Sequence, residues 1–184
     1  MHRTIIMALA LMGLLFIACD PDDPKPVNEE ELITTLKYTL FPVIGGQEVV
    51  FSFQDLDGDG SLIPVITEDT LTANTEYRGI IELLNESETP AENIGEEVAE
   101  ENIEHQLFYI SSVPGMTIEY ADMDENGDPL GLITQLKTGA AGSGQLSILL
   151  RHEPDKSADG VAQGDPTNAG GETDINVVFS VVIE

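Results

Sequence analysis

The sequence predicts an all-β fold, an Ig-like antiparallel β-sandwich of about seven to nine strands with one short acidic helix. Apolar and polar residues alternate over many short runs, and turns rich in Gly, Asp and Asn separate these runs. Strands do not alternate with long helices, which argues against an α/β fold. A small β-barrel is the alternative, because a closed sheet gives the same pattern.

Eight runs have the period of two that a half-buried strand requires. In the last of them every second residue is apolar up to the end of the chain, so one face of this strand should be buried. The predicted strands are Leu32–Leu40, Val49–Phe53, Tyr77–Leu84, Gln106–Ser112, Met116–Ala121, Leu132–Thr138, Gln145–His152 and Ile175–Ile183.

One segment, residues 90–104, has helical rather than strand periodicity. Thr89-Pro90-Ala91-Glu92 is typical of a capping box with proline at the first helical position. Ile94 and Val98 fall on one stripe, and five glutamates occupy the other face. Repulsion between glutamates four residues apart costs a few tenths of a kcal/mol per pair. We therefore expect a one-sided cap over an open end of the sheet.

The N-terminus is typical of a lipoprotein signal peptide. Residues 1–18 contain an apolar run from Ile5 to Phe16 and end with small Ala18, directly before the single cysteine, Cys19. This run is too short to cross a bilayer comfortably. We expect cleavage before Cys19 and lipid attachment to its thiol, which would anchor the protein to a membrane.

Residues 19–31 are predicted to be a solvated tether. Three prolines and six acids fill positions 20–31, and such a composition cannot bury a core. An acidic stretch after a lipidated cysteine also resembles the export signal of Bacteroidota lipoproteins. The resemblance implies an outer-membrane location facing the cell surface. Residues 32–184 then form a single domain without disulfides.

The chain is strongly acidic. After removal of residues 1–18 it has 6 Lys and Arg against 34 Asp and Glu, a formal charge of −28. Such a surface repels nucleic acids and attracts cations, so a nucleic-acid partner is excluded.

Two loops match the D-x-[DN]-x-[DN]-G pattern of calcium-binding loops, in which alternate oxygens surround one ion. Both lack the glutamate at position twelve and follow strands, so they are not EF-hands. The hypothesis is a structural Ca²⁺ site at one or both; the alternative is a pair of ordinary turns. The possible calcium ligands are Asp55, Asp57, Asp59, Asp122, Asp124, Asn126 and Asp128.

Both histidines of the mature chain adjoin acids. Glu101 lies four residues before His105, and Glu153 follows His152. If the two strand ends met, these four residues could bind a borderline metal such as Zn²⁺. Nothing in the spacing requires the ends to meet, so isolated surface histidines are the default expectation and the metal site is the alternative.

The whole chain resembles small Bacteroidota lipoproteins labelled type 1 periplasmic binding fold superfamily proteins, a family without an established activity. The resemblance lies in Phe51–Gly60, Leu84–Ser87, Leu150–Pro154 and Asn168–Asp174. The family's label implies two α/β lobes, whereas the periodicity of this chain predicts a single β domain.

The sequence limits the class of function but does not identify a ligand. Catalytic signatures are absent, since Gly142-Ser143-Gly144 lacks the frame of a nucleophile elbow, and we expect a non-enzymatic protein. The leading hypothesis is a ligand-binding or accessory domain that aids nutrient uptake beside an outer-membrane transporter. The alternatives are capture or delivery of a divalent metal by His105 and His152, and a calcium-stabilised structural or adhesive surface protein. The long segment 154–173 could be a binding loop or a mobile hairpin.

Overall fold

The computed structural model describes residues 32–57 and 62–184. The predicted signal peptide, Cys19 and the tether lie outside these residues. The elements in chain order are β1 (Thr35–Pro42), β2 (Val49–Gln54), β3 (Val65–Glu68), β4 (Thr70–Leu71), β5 (Glu76–Leu84), α1 (Ile94–Glu100), β6 (His105–Ser111), β7 (Thr117–Tyr120), β8 (Ile133–Lys137), β9 (Gly142–His152) and β10 (Glu172–Ile183).

The strands form two sheets. The first sheet has the order β3-β2-β1-β5-β8-β7, and the second has the order β4-β10-β9-β6. Neighbouring strands are antiparallel except for the β4–β10 pair. Neither sheet closes on itself among the described residues, so the all-β sandwich is confirmed and the small barrel is not formed.

One core fills the space between the sheets. Leu36, Tyr38 and Leu40 of β1 face Ile148 and other apolar residues of the second sheet. The predicted inward face of β10 is confirmed: every second residue from the bulge to its end is buried, namely Ile175, Val177, Phe179, Val181 and Ile183. All eight predicted strands are present, and burial alternates most clearly in β5 and β10.

The two strands missed by sequence reasoning are short and lie at sheet edges. All four residues of β3 are exposed, so no alternation of polarity marks it. The strand β4 has two residues and pairs only with the C-terminal end of β10. Backbone pairing in the folded chain defines both.

The helix starts later than predicted. The backbone of Glu92 pairs with Asn85 in an isolated bridge, so the predicted capping box at Thr89 is wrong. Asn93 is the N-cap residue instead, and α1 ends at Glu100. Ile94 and Val98 are buried in the core, which confirms the predicted inward stripe.

The segment between β9 and β10 is a packed cover. It contains two short 3₁₀ helices, Val161–Gln163 and Pro166–Asn168. Val161 and Ala169 pack against Phe108 and Leu149 on the outer face of the second sheet. This second small core gives the segment an ordered position.

Candidate metal centre

The two histidines meet at the end of the sandwich that α1 covers. His105 begins β6 and His152 ends β9, and the two are directly paired across these antiparallel strands. Their ring centroids are 4.5 Å apart, with one ring edge-on to the other. Both side chains are on the inner face, the face of Leu107 and Leu150, and both are buried. The two strand ends therefore meet, which is the condition that the metal hypothesis required, and the default expectation of isolated surface histidines is wrong.

The C-terminal end of α1 orients the first imidazole. Nδ1 of His105 lies 3.2 Å from the backbone oxygen of Glu101, a distance at which Nδ1–H donates to that carbonyl. Nε2 then carries the lone pair, and it is buried with no hydrogen-bond partner among the described residues. A backbone carbonyl that holds the other ring nitrogen is the usual arrangement behind a metal-binding histidine.

The protonation state of His105 also suits metal binding. Burial lowers the pKa of His105 below its ordinary value, and the neighbouring His152 lowers it further, although the Glu101 carbonyl and nearby carboxylates oppose this. The neutral imidazole is therefore the form present near pH 7. Metal ions bind this form, because protonation would occupy the lone pair.

A β-bulge brings a carboxylate to the histidines. On β10, Thr173 pairs with Arg151 and Ile175 pairs with Leu150, so Asp174 is an extra residue between two consecutive pairs. Bulges redirect a side chain in this way and occur often beside functional sites. One ligand atom each from His105, His152 and Asp174 lies within 4.8 Å of the other two.

This set has the composition of a zinc-type site. Tetrahedral zinc with bonds of about 2.0–2.1 Å requires ligand atoms roughly 3.4 Å apart, so a pair at the 4.8 Å limit would have to approach by about 1.4 Å. Two imidazoles and one carboxylate suit borderline divalent metals better than Ca²⁺ or Mg²⁺, which prefer oxygen ligands. Three protein ligands leave a coordination position for water, as in sites that exchange their ligands.

A second group of ligands lies at the rim of the same site. Ligand atoms of Glu104, His152 and Glu153 also lie within 4.8 Å of one another, and both glutamates are exposed. The backbone N–H of Glu153 donates to the carbonyl of Glu104 at 2.6 Å. Glu153 has a φ of +48°, in the left-handed region that costs a non-glycine residue energy. The rim thus places exposed carboxylates beside the buried His152.

Close backbone packing at Gly171 completes the position of His152. A Cβ at Gly171 would lie 2.1 Å from the carbonyl oxygen of His152 and 2.9 Å from that of Glu153. Only glycine therefore fits where the turn into β10 crosses the end of β9.

Sequence reasoning found part of this centre. It identified His105, His152 and Glu153. It also predicted Glu101 as a ligand, but neither group of ligand atoms includes Glu101, because its backbone oxygen rather than its carboxylate contacts His105. It missed Asp174, because a bulge leaves no reliable signal in the residue pattern. It also missed Glu104 as a ligand, although adjacency to His105 could have indicated it.

The first predicted calcium loop is partly outside the described residues. Asp59 falls there, while Asp55 and Asp57 follow the end of β2. The carboxylate of Asp57 accepts a hydrogen bond from the backbone N–H of Leu62 at 2.8 Å. Calcium binding at this loop stays a prediction.

The second predicted calcium loop is a turn held by its own carboxylates. Both oxygens of Asp122 accept backbone N–H groups, those of Gly131 and Ile133, at 2.8 and 2.9 Å. Oδ1 of Asp124 accepts the N–H groups of Asn126 and Asp128, both at 2.9 Å.

A lysine makes an ion pair with the remaining carboxylate oxygen of Asp124. Nζ of Lys156 is 2.8 Å from Oδ2 of Asp124 and 2.8 Å from the carbonyl of Asn102. The ammonium group is thus the cation that this loop surrounds, and the geometry supports the turn reading. Calcium binding by Asn126 and Asp128 stays a prediction.

Comparisons with models of known protein families, with curated proteins and with solved structures gave no match. The resemblance to the Bacteroidota lipoproteins therefore stays a prediction. Within residues 32–57 and 62–184, no helix has the length and apolar composition needed to cross a membrane.

Proposed function

We propose that this protein is a non-enzymatic lipoprotein that captures divalent transition-metal ions, with Zn²⁺ as the representative ion. One observation carries the proposal: His105 and His152 face each other in a buried pair, and a bulge adds Asp174 to them. The buried Nε2 of His105 has no hydrogen-bond partner among the described residues, and a bound metal would coordinate its lone pair.

The charge of the chain and of the rim supports capture in preference to a purely structural role. The acidic chain raises the local concentration of cations. The exposed Glu104 and Glu153 adjoin His152, so carboxylates at the protein surface lie beside the buried ligands and attract a cation to them. A structural pair of histidines in edge-to-face contact is the competing explanation, and metal titration separates the two.

Membrane attachment is the second part of the proposal. The sequence Phe16-Ile17-Ala18-Cys19 and the acidic tether support a lipid anchor on the outer membrane, facing the cell surface. A tethered binder holds an ion near an outer-membrane transporter, the partner class that we propose. Replacement Cys19→Ser should move the protein from the membrane fraction to the soluble fraction. Retention of the variant in the membrane would contradict lipid attachment at this cysteine.

Isothermal titration of the purified full-length chain with Zn²⁺ tests the metal site. We expect one ion per chain, with binding reduced at least tenfold by Asp174→Asn and further by His152→Gln. Asp174 is half-buried and Asn has nearly its shape, so this variant should fold. Loss of one ligand from a three-ligand site accounts for a reduction of about tenfold or more.

Two further carboxylates serve as controls in this titration. Asp159→Asn removes an exposed carboxylate outside both ligand groups, so it should leave the affinity within about twofold, because one remote surface charge is largely screened. Glu101→Gln should behave in the same way, because the backbone of Glu101 rather than its carboxylate holds His105. Absence of Zn²⁺ binding, or equal affinity in Asp174→Asn and the native chain, would refute the proposed function.

A further inference from the structure

A cavity in the described part of the chain lies away from the metal centre, on the outer face of the first sheet. It has a volume of about 570 Å³, within the range of small-molecule sites, and opens over β5, β8 and β7. Its floor consists of outward-facing polar side chains from these strands, and Val43 of the β1–β2 hairpin forms an apolar wall. The segment 154–173 and α1 contribute nothing to it.

An arginine in this groove lacks a partner. Among the described residues, the guanidinium of Arg78 makes no hydrogen bond and no ion pair, although acids greatly outnumber bases in this chain. The other four described cations are engaged by protein groups: Lys37, Lys137 and Lys156 by carboxylates, and Arg151 by Thr173. Arg78 is therefore available for an anion from solution, and arginine binds a carboxylate through two parallel hydrogen bonds.

The strand register places an acid at a fixed distance from this arginine. Arg78 pairs with Gln135, which pairs with Glu119, so the three side chains form one row across β5, β8 and β7. Two interstrand spacings separate the Cα atoms of Arg78 and Glu119 by roughly 10 Å. An extended tripeptide has about the same length, at 3.3–3.6 Å per residue.

The neighbouring row of side chains brings the net charge of the groove to zero. Lys137 pairs with Glu76 at 2.8 Å, and Thr117 continues this row on β7. The groove thus has two cations and two carboxylates, whereas the chain as a whole has a charge of −27. Phosphates and other polyanions are repelled by such a protein, but a ligand with one charge of each sign is not.

We propose that this groove binds a short zwitterionic peptide of about three residues, with its carboxylate on Arg78 and its ammonium group at Glu119. Gln135 lies between them and offers a donor and an acceptor to the peptide backbone. This site does not depend on the metal centre, because it is built from the other sheet. Peptide binding and metal binding are therefore tested separately.

Calorimetric titration of the full-length chain with trialanine tests the groove. We expect saturable binding, a loss of about tenfold or more in Arg78→Gln, and a smaller loss in Arg78→Lys, which keeps the charge but not the paired geometry. The matched control is Lys37→Gln. It removes one cation from the outer face of the same sheet without touching the groove, and it should leave the affinity unchanged.

Peptides with one blocked terminus test which end of the peptide contacts Arg78 and which contacts Glu119. Trialanine amide lacks the carboxylate and should not bind, whereas N-acetyl-trialanine lacks the ammonium group and should bind about as weakly as trialanine binds to Glu119→Gln. No binding of trialanine at millimolar concentration, or equal affinity in Arg78→Gln, would overturn the proposal. Equal affinity for the acetylated peptide would overturn the assignment of Glu119.

Discussion

The buried ion pair between Lys156 and Asp124 offers a sharp test of the energetics of this fold. Its Nζ–Oδ2 distance is 2.8 Å, and the exposed fractions of the two side chains are 6% and 0%. Lys156 also donates to the carbonyls of Asn102 and Pro129 at 2.8 and 3.3 Å. The pair therefore joins the segment after β9 to the end of α1 and to the β7–β8 loop.

Replacement Lys156→Met should strongly destabilise the protein. Burial by itself would raise the pKa of Asp124, but the hydrogen bonds from Lys156 and from the backbone N–H of Asp128 outweigh burial and lower it. Without the ammonium group the carboxylate is left buried without a cation, which costs about 3–5 kcal/mol of unfolding free energy. For a domain of this size, this corresponds to a fall in Tm of roughly 6–20 °C.

Urea unfolding followed by circular dichroism measures this change. The control is Lys37→Met, which breaks an ion pair of the same 2.8 Å length whose side chains are 44% and 51% exposed, so it differs in burial and in the two carbonyl contacts of Lys156. It should cost about 0–1 kcal/mol. The double variant Lys156→Met with Asp124→Asn should recover part of the loss, because the amide carries no charge and retains an acceptor for the turn. A cost below about 1 kcal/mol for Lys156→Met would refute this reasoning, as would a double variant no more stable than that single one.

A second prediction about stability concerns the turn into β10, which crosses the end of β9 at His152. Gly171→Ala places a Cβ against two carbonyl oxygens, so it should destabilise the fold by more than Gly170→Ala, whose Cβ meets nothing within 4 Å. Both positions have positive φ, +68° and +61°, and that shared strain costs an alanine about 1–2 kcal/mol. The excess cost at Gly171 is read from chemical denaturation, and Zn²⁺ affinity should fall with it because His152 is displaced. Equal destabilisation by the two substitutions would show that the close approach of Gly171 to the two carbonyl oxygens adds nothing to the cost.

Much of the architecture could be predicted because burial of one sheet face imposes a period of two on the residues. The alternation in β10 is the clearest case, and it predicted both the strand and its inward face. The same reasoning failed for β3, whose four exposed residues carry no contrast between faces. The start of α1 was also misplaced, since the backbone pair of Glu92 with Asn85 prevents the predicted cap.

The candidate metal centre also combines residues that the sequence predicted with a residue that only the tertiary structure reveals. The sequence by itself determined the acidic balance, the strand ends that carry His105 and His152, and the expectation that they could meet. Tertiary structure alone decided that Asp174 is their third ligand, because a bulge shifts pairing by one residue without altering the pattern of polarity. It also decided that Lys156 fills the second acidic loop, from 32 residues further along the chain. Local patterns follow from local burial, whereas partners far apart in sequence are chosen only when strands pair and the segments around them pack.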